Sequence, residues 1–145
     1  MHRAVVSHVN DASVFVATAA VADWRVAQVA EQKIKKTAQG EAPALQFTEN
    51  PDILGEVAKS ARAQSGALFC VGFAAESHDL QKHAQAKREK KGVPLLVGNI
   101  GPATFGSDEN ALLLVDAQGT QEIPQANKLE LARKLVIEIA QRIKH

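Results

Sequence analysis

Charged side chains follow two apolar runs of the chain, and these residues have the types and spacing to carry chemistry. Asp23 ends the run that begins at Ala19, and Glu76 follows the small and apolar residues 72–75. Three lysines come shortly after the first run: Lys33, Lys35 and Lys36. Because open α/β sheets bind ligands at the carboxyl ends of their strands, this pattern favours a nucleotide or another anion-bearing ligand.

Each of these signals also has a purely structural explanation. Asp23 is equally well explained as a turn or cap residue, and the lysines as a solvated hairpin face. Lys87 and Lys91 are four residues apart, so they share one helix face and could bind an anion together. Basic residues in a last helical turn also interact favourably with the helix dipole. The small residues before Glu76 would allow a flat ligand to approach the backbone.

Signatures of other site classes are missing from the sequence. It contains neither G-x-G-x-x-G nor G-x-x-x-x-G-K-[ST], the two glycine-rich signatures of phosphate-binding loops. Its five histidines have no metal-ligand spacing with Cys70 or with paired acids, so no metal-ligating residue is predicted. No Ser/His/Asp or Cys/His motif supports nucleophilic catalysis.

Composition predicts a single globular domain without a nucleic-acid partner. The 145 residues are 46% hydrophobic and 23% charged, while the aromatic fraction is 4% and the net charge +1. A stacking platform or a phosphate-backbone site would need more aromatic or basic residues. Cys70 lies alone in an apolar run and is predicted to pack as a small hydrophobe, which fits a reducing cytoplasm. No run approaches the roughly 20 apolar residues of a membrane span, so no membrane partner is expected.

Hydrophobic periodicity predicts alternating helices and buried strands. The predicted elements are a helix over 2–9, a strand over 13–19, a loop over 24–32, a hairpin between 33–36 and 44–48 around Gly40, a helix beginning at Asn50-Pro51-Asp52 with Asn50 as N-cap, a strand over 67–73, a helix over 79–91 ending at Gly92, a strand over 94–97, a loop over 98–110, a hairpin of 111–115 with 120–123, and a last helix from 127. We expect that last helix to pack through one stripe of residues: Leu129, Ala132, Val136, Ile139 and Ile143. The fold class is therefore α/β, a Rossmann-like three-layer sheet that is mostly parallel and carries an antiparallel hairpin extension.

Five motifs, in order along essentially the whole chain, resemble the bacterial phosphopantothenoylcysteine synthetase family. They are Ala19-Ala20-Val21-Ala22-Asp23-Trp24-Arg25, Lys33-Ile34-Lys35-Lys36, Asn50-Pro51-Asp52-Ile53-Leu54, Val71-Gly72-Phe73-Ala74-Ala75-Glu76 and Ser107-Asp108-Glu109-Asn110. The sequence departs from the family pattern at Ile100, where Gly98-Asn99-Ile100 occupies the place of the family's Ala-Asn-Asp. The resemblance implies that residues 1–145 are one domain, the C-terminal part of a synthetase domain without its N-terminal segment.

The resemblance also implies an activity, a set of site residues and an assembly. The family joins 4'-phosphopantothenate to cysteine, and it uses CTP and Mg²⁺ to form an acyl-cytidylate. FMN serves only the decarboxylase half, which this chain does not contain. By resemblance Lys33 is catalytic and lies on a closing flap, and a homodimer completes the site. The residues implied in nucleotide binding are Ala17, Thr18, Ala19, Asp23, Lys33, Pro51, Asp52, Ile53, Leu54, Phe73, Lys87 and Lys91. The alternative is a non-catalytic α/β nucleotide-binding or dimerisation module.

Overall fold

The computed structural model describes residues 1–35, 42–76, 78–100 and 106–143. The chain falls into two compact units. The sheet unit comprises Met1–Thr18 and Ile53–His145, and the ribbon unit comprises Ala19–Asp52. Across the described ranges, no helix combines the length and apolar character that crossing a membrane requires.

Helices and strands both occur along the described residues, and at two places three strands follow one another without an intervening helix. The helices are α1 (His2–His8, followed by a 3-10 turn at Val9–Asp11), α2 (Ile53–Ala58), α3 (Ala61–Gln64), α4 (Leu80–Lys91) and α5 (Lys128–Ile143). The strands are β1 (Val14–Ala17), β2 (Trp24–Val26), β3 (Phe47–Glu49), β4 (Phe69–Glu76), β5 (Leu95–Ile100), β6 (Glu109–Asp116) and β7 (Gly119–Asn127).

Five strands of the sheet unit form one sheet in the order β1-β4-β5-β6-β7. The first three are parallel, β6 runs antiparallel to β5, and β7 runs antiparallel to β6. Four of the five strands therefore run in the same direction. This confirms the prediction of a mostly parallel α/β sheet.

Apolar clusters cover both faces of this sheet and make it the middle of three layers. Leu96 belongs to the cluster that α2 and α4 cover, whereas its neighbours Leu95 and Val97 belong to the cluster beneath α5. Successive residues of a strand point to opposite faces, so the near-continuous apolar run of β5 is what burial on both faces requires.

Helix α4 ends where the sequence predicts. Gly92 adopts a left-handed conformation with φ +67°, and its N–H donates to the carbonyl oxygens of Arg88 and Glu89. A glycine at this position satisfies carbonyl groups that the last helical turn leaves open. The chain then enters β5 after a short turn.

The ribbon unit pairs differently from the predicted hairpin. Strand β3 lies antiparallel to β2, with Trp24 opposite Glu49 and Val26 opposite Phe47. The prediction of a loop throughout 24–32 is therefore wrong at β2. The expected partner strand, 33–36, is also wrong for Lys33–Lys35, which lie outside any strand. Lys36 and Gly40 lie outside the described residues.

Asn50 does not cap a helix, contrary to the sequence prediction. Its side-chain amide donates to the carbonyl oxygen of Ala22 at 2.7 Å, and its Oδ1 accepts from the Arg25 guanidinium at 3.0 Å. Helix α2 begins later, at Ile53, and ends at Ala58. The amide is engaged in the ribbon unit, so it is not available to the helix N-terminus.

The buried face of α5 also differs from the predicted stripe. Leu131, Leu135 and Ile139 are buried. Leu129 and Val136, two members of the predicted stripe, are 61% and 64% exposed. Of that stripe, Ile139 alone is buried among the described residues of the helix. The helix is apolar on more than one side, and a pattern of this kind does not say which side meets the sheet.

An ion-pair network fastens the last turn of α5 to the sheet. The Arg142 guanidinium donates to Asp116 Oδ2 at 3.0 Å and to Glu138 Oε2 at 2.6 Å. The hydrogen bond from Arg142 holds the pKa of the Glu138 carboxyl below its ordinary value. On the other face of the sheet Cys70 is a free, buried thiol whose pKa is raised by burial, as expected for a residue that packs as a hydrophobe.

Candidate functional site

The carboxyl end of β1 lies beside the middle of β4 in the sheet unit. Ala17 is the last residue of β1 and stands opposite Gly72 of β4, with the exposed Thr18 next in the chain. Phe73 follows Gly72 and is half-buried. Strand β4 continues as far as Glu76, so its last residues extend past the end of β1.

Gly72 gives helix α2 its place beside these strand ends. A Cβ atom on Gly72 would lie 2.8 Å from Leu54 Cδ2 and 2.8 Å from Leu96 Cδ1. Real Cβ atoms do not approach other carbons so closely, so the missing side chain lets Leu54 pack directly on the strand. The structure thus brings Leu54 of α2, with Ile53 before it, to Gly72, the partner of Ala17. It does not bring Phe73 to them, because Phe73 packs on the opposite face of the sheet, against the cluster beneath α5.

Replacing Gly72 with alanine is expected to lower the free energy of unfolding by about 1–3 kcal/mol, because the methyl group overpacks the contact with Leu54 and Leu96. The penalty should be smaller when Leu54 is already alanine, since one of the two colliding groups is gone. Urea denaturation of the four proteins in this double-mutant cycle measures the coupling. An equal penalty in both backgrounds would contradict the packing.

Two basic side chains lie close to Glu76, the last residue of β4. Its Oε1 lies 3.7 Å from Lys87 Nζ, and its Oε2 lies 3.7 Å from His83 Nδ1. Contacts of this length between partly exposed charged groups add little stability. They place the Lys87 ammonium at the carboxyl end of the strand. Lys91 is the last residue of α4 and stands one helical turn beyond Lys87.

The ribbon unit holds the backbone around Asp23 in place. The N–H of Asn50 donates to the Asp23 carbonyl oxygen at 2.7 Å, and the Arg25 guanidinium donates to the Glu49 carbonyl oxygen at 2.6 Å. The Asp23 side chain itself is exposed. This bracing fixes the chain at the start of β2 while leaving the carboxylate accessible to solvent.

The predicted nucleotide-binding residues divide between the two units. The sheet unit contains Ala17, Thr18, Ile53, Leu54, Phe73, Lys87 and Lys91, and the ribbon unit contains Ala19, Asp23, Lys33, Pro51 and Asp52. All five ribbon-unit residues are exposed. The chain passes from one unit to the other at the peptide bonds Thr18–Ala19 and Asp52–Ile53. All four of these residues are among the predicted nucleotide-binding residues.

Sequence reasoning missed the supporting roles of Arg25, Asn50 and His83. Asn50 was assigned to a helix cap because Asn-Pro-Asp is typical of a helix start. The spacing of His83 and Lys87 places both on one face of α4, which was a usable signal. Their common partner, Glu76, lies on another element, and sequence spacing does not reveal such a contact.

Residues 1–143 match the family described as the DNA/pantothenate metabolism flavoprotein C-terminal domain. The chain belongs to this family. It is 36% identical over 142 residues to the coenzyme A biosynthesis bifunctional protein CoaBC of Vibrio vulnificus strain CMCP6, covering 96% of this chain and 35% of that protein. It is 38% identical over 146 residues to the CoaBC protein of Escherichia coli K12, covering 98% of this chain and 35% of that protein. It therefore spans about a third of the length of the curated relatives it matches.

The fold of this family member also matches a solved structure. The crystal structure of a C-terminal domain of CoaBC superposes with a TM-score of 0.75 at 24% identity, covering 99% of this chain and 61% of that chain. At that identity the likeness shows the fold, and it agrees with the Rossmann-like architecture predicted from the sequence.

Proposed function

We propose that this chain forms the nucleotide-binding part of a ligase in coenzyme A biosynthesis. The ligase joins 4'-phosphopantothenate to cysteine, with CTP activating the carboxylate as an acyl-cytidylate and pyrophosphate leaving. Family membership over residues 1–143 and the names of the relatives support this class of reaction. The observation that supports it most directly is the meeting of Ala17, Gly72 and Leu54 where the carboxyl end of β1 lies beside β4.

In this proposal the nucleoside lies against the end of β1. As the family resemblance implies, Ala17, Thr18, Ala19 and Asp23 are assigned to the cytidine, and residues 51–54 and Phe73 to the rest of the nucleotide. The Asp23 carboxylate accepts a hydrogen bond from the 4-amino group of cytosine. Uracil lacks that donor, so the acceptor would lose its partner, and such losses produce strong discrimination.

The triphosphate is assigned to the basic side chains of α4. Lys87, which the Glu76 pair holds at the strand end, would contact the phosphates together with Lys91. Mg²⁺ binds one or two carboxylates together with substrate phosphates, and Glu76 beside Lys87 fits that donor set. When bound, Mg²⁺ neutralises part of the phosphate charge.

In this proposal Lys33 stabilises the transition state in which the acyl-cytidylate forms. When the substrate carboxylate attacks the α-phosphate, negative charge accumulates on the phosphoryl oxygens, and a fixed cation stabilises that charge. The Lys33 side chain is exposed, so its ammonium is accessible to a ligand.

Isothermal titration of this chain with CTP, UTP and ATP in the presence of Mg²⁺ tests the proposal. We expect CTP to bind more tightly than the other two nucleotides. Asp23→Asn should reduce the preference for CTP over UTP, because an amide can also donate to a uracil carbonyl. Asp11→Asn is the matched control, since Asp11 is an exposed aspartate that precedes β1. Absence of binding by all three nucleotides would refute the nucleotide site in this chain.

A homodimer is part of the same proposal. The ribbon unit exposes large apolar side chains, with Trp24 56% and Phe47 60% exposed, and exposed apolar groups of this size favour association. Sedimentation equilibrium measures the assembly. We expect a dimer that Phe47→Glu weakens, and a strictly monomeric unchanged chain at high concentration would contradict it.

A further inference from the structure

Three potential metal ligands meet where β4 gives way to α4. The ligand atoms of His78, Asp79 and His83 all lie within 4.8 Å of one another. We propose that these residues form a binding site for a divalent transition-metal ion such as Zn²⁺. Spacing to Cys70 or to paired acids did not reveal this site, because its ligands are two histidines and one aspartate within positions 78–83.

The donor set determines which ions suit the site. Two imidazoles and a carboxylate suit zinc and its neighbours, whereas Mg²⁺ prefers oxygen ligands. Tetrahedral zinc with bonds of about 2.0–2.1 Å holds its donors about 3.4 Å apart. The observed spacing therefore needs to close by about 1.4 Å or less. Closing it requires the exposed His78 and Asp79 side chains to change rotamer.

The backbone at the start of α4 holds the three residues together. Asp79 adopts a left-handed conformation with φ +46°, which aspartate tolerates better than most residues. The N–H of His83 donates to the Asp79 carbonyl oxygen at 3.0 Å, so His83 stands one turn above Asp79. The ring of His78 meets that of His83 edge to face, with ring centres 5.1 Å apart.

Neighbouring charges act on the site in opposite directions. Glu76 Oε2 lies 3.7 Å from His83 Nδ1 and can either orient that ring or supply a further oxygen ligand. Lys87 lies 3.7 Å from the same carboxylate and competes with the ion for it. The site thus offers three ligands and a nearby carboxylate that already has one cationic partner.

Titration of the chelator-treated chain with ZnCl₂, without any nucleotide, tests this site. We expect one Zn²⁺ per chain, with affinity falling on the order of 10- to 100-fold or more in His78→Gln and in His83→Gln. His8→Gln is the matched control, because His8 ends α1 and lies outside the cluster. The affinity of this variant for Zn²⁺ should equal that of the unchanged chain. Failure of Zn²⁺ to bind, or equal loss in all three variants, would overturn the proposal.

Two further readouts distinguish ligation from a general effect of charge. Co²⁺ should give visible absorption bands in the unchanged chain that both histidine variants lose. Because a ligand that binds the folded state stabilises it, Zn²⁺ should raise the melting temperature of the unchanged chain but not of His83→Gln. An equal rise with MgCl₂ would contradict a site built on imidazole. Since CTP is absent throughout, a negative result leaves the proposed nucleotide site untouched.

Discussion

Replacing Lys33 with alanine is expected to lower the rate of acyl-cytidylate formation by about 10²- to 10³-fold, the loss that accompanies removal of one fixed group stabilising transition-state charge. CTP affinity should change far less, because the ammonium acts mainly on charge that appears during the reaction. Pyrophosphate release from CTP in the presence of 4'-phosphopantothenate measures this rate. The assay uses an enzyme preparation that is active when it contains the unchanged chain.

Lys35→Ala is the control for this result. Lys35 is exposed, carries the same charge and lies two residues away, outside any strand, like Lys33. We expect its loss to change the rate by only a few-fold. Equal loss in the two variants would mean that the segment contributes general positive charge, and an unchanged rate in Lys33→Ala would favour a non-catalytic nucleotide-binding or dimerisation module.

The second large effect concerns stability. Leu135→Ala should lower the free energy of unfolding by about 2–5 kcal/mol, because Leu135 is buried between α5 and the sheet and its truncation leaves a cavity. Chemical denaturation followed by far-UV circular dichroism measures the change. The loss should appear as a lower midpoint with a similar slope, since the surface exposed on unfolding is nearly the same.

Leu129→Ala supplies the matched comparison on the same helix. Leu129 is exposed, so the same truncation removes little buried surface and should change the free energy of unfolding by no more than about 0.5 kcal/mol. If Leu129→Ala were the more damaging variant, the stripe predicted from the sequence would be the packed one and the observed orientation of α5 would be wrong.

The candidate site was predictable to the extent that it consists of strand ends. Small and apolar residues followed by Glu76 marked the end of β4, and the five motifs identified the family. The same pattern at Asp23 was misleading, because Asp23 lies six residues beyond the end of β1 and directly before β2. The packing of α2 against β4 was not predictable. It depends on Leu54 filling the space that Gly72 leaves open, and these residues belong to different elements.

Local chemistry explains which elements the sequence predicted well. The end of α4 at Gly92 needs only a residue that adopts positive φ, and the hairpin of β6 and β7 needs only a turn between two strand-forming runs. Neither depends on a distant partner. Residues within a few positions of each other therefore contain the information for both.

Contacts between distant segments decided the rest. Strand β3 pairs with β2 rather than with the nearer lysine segment, and Asn50 bonds to Ala22 rather than capping a helix. The sequence by itself determined the family, most of the order of helices and strands, and the end of β4 at Glu76. The tertiary structure alone decided the partner of β3, the buried face of α5, and the contacts of His83 and Lys87 with Glu76. Periodicity and turn chemistry are local properties, whereas pairing and burial depend on which distant surfaces compete for the same position.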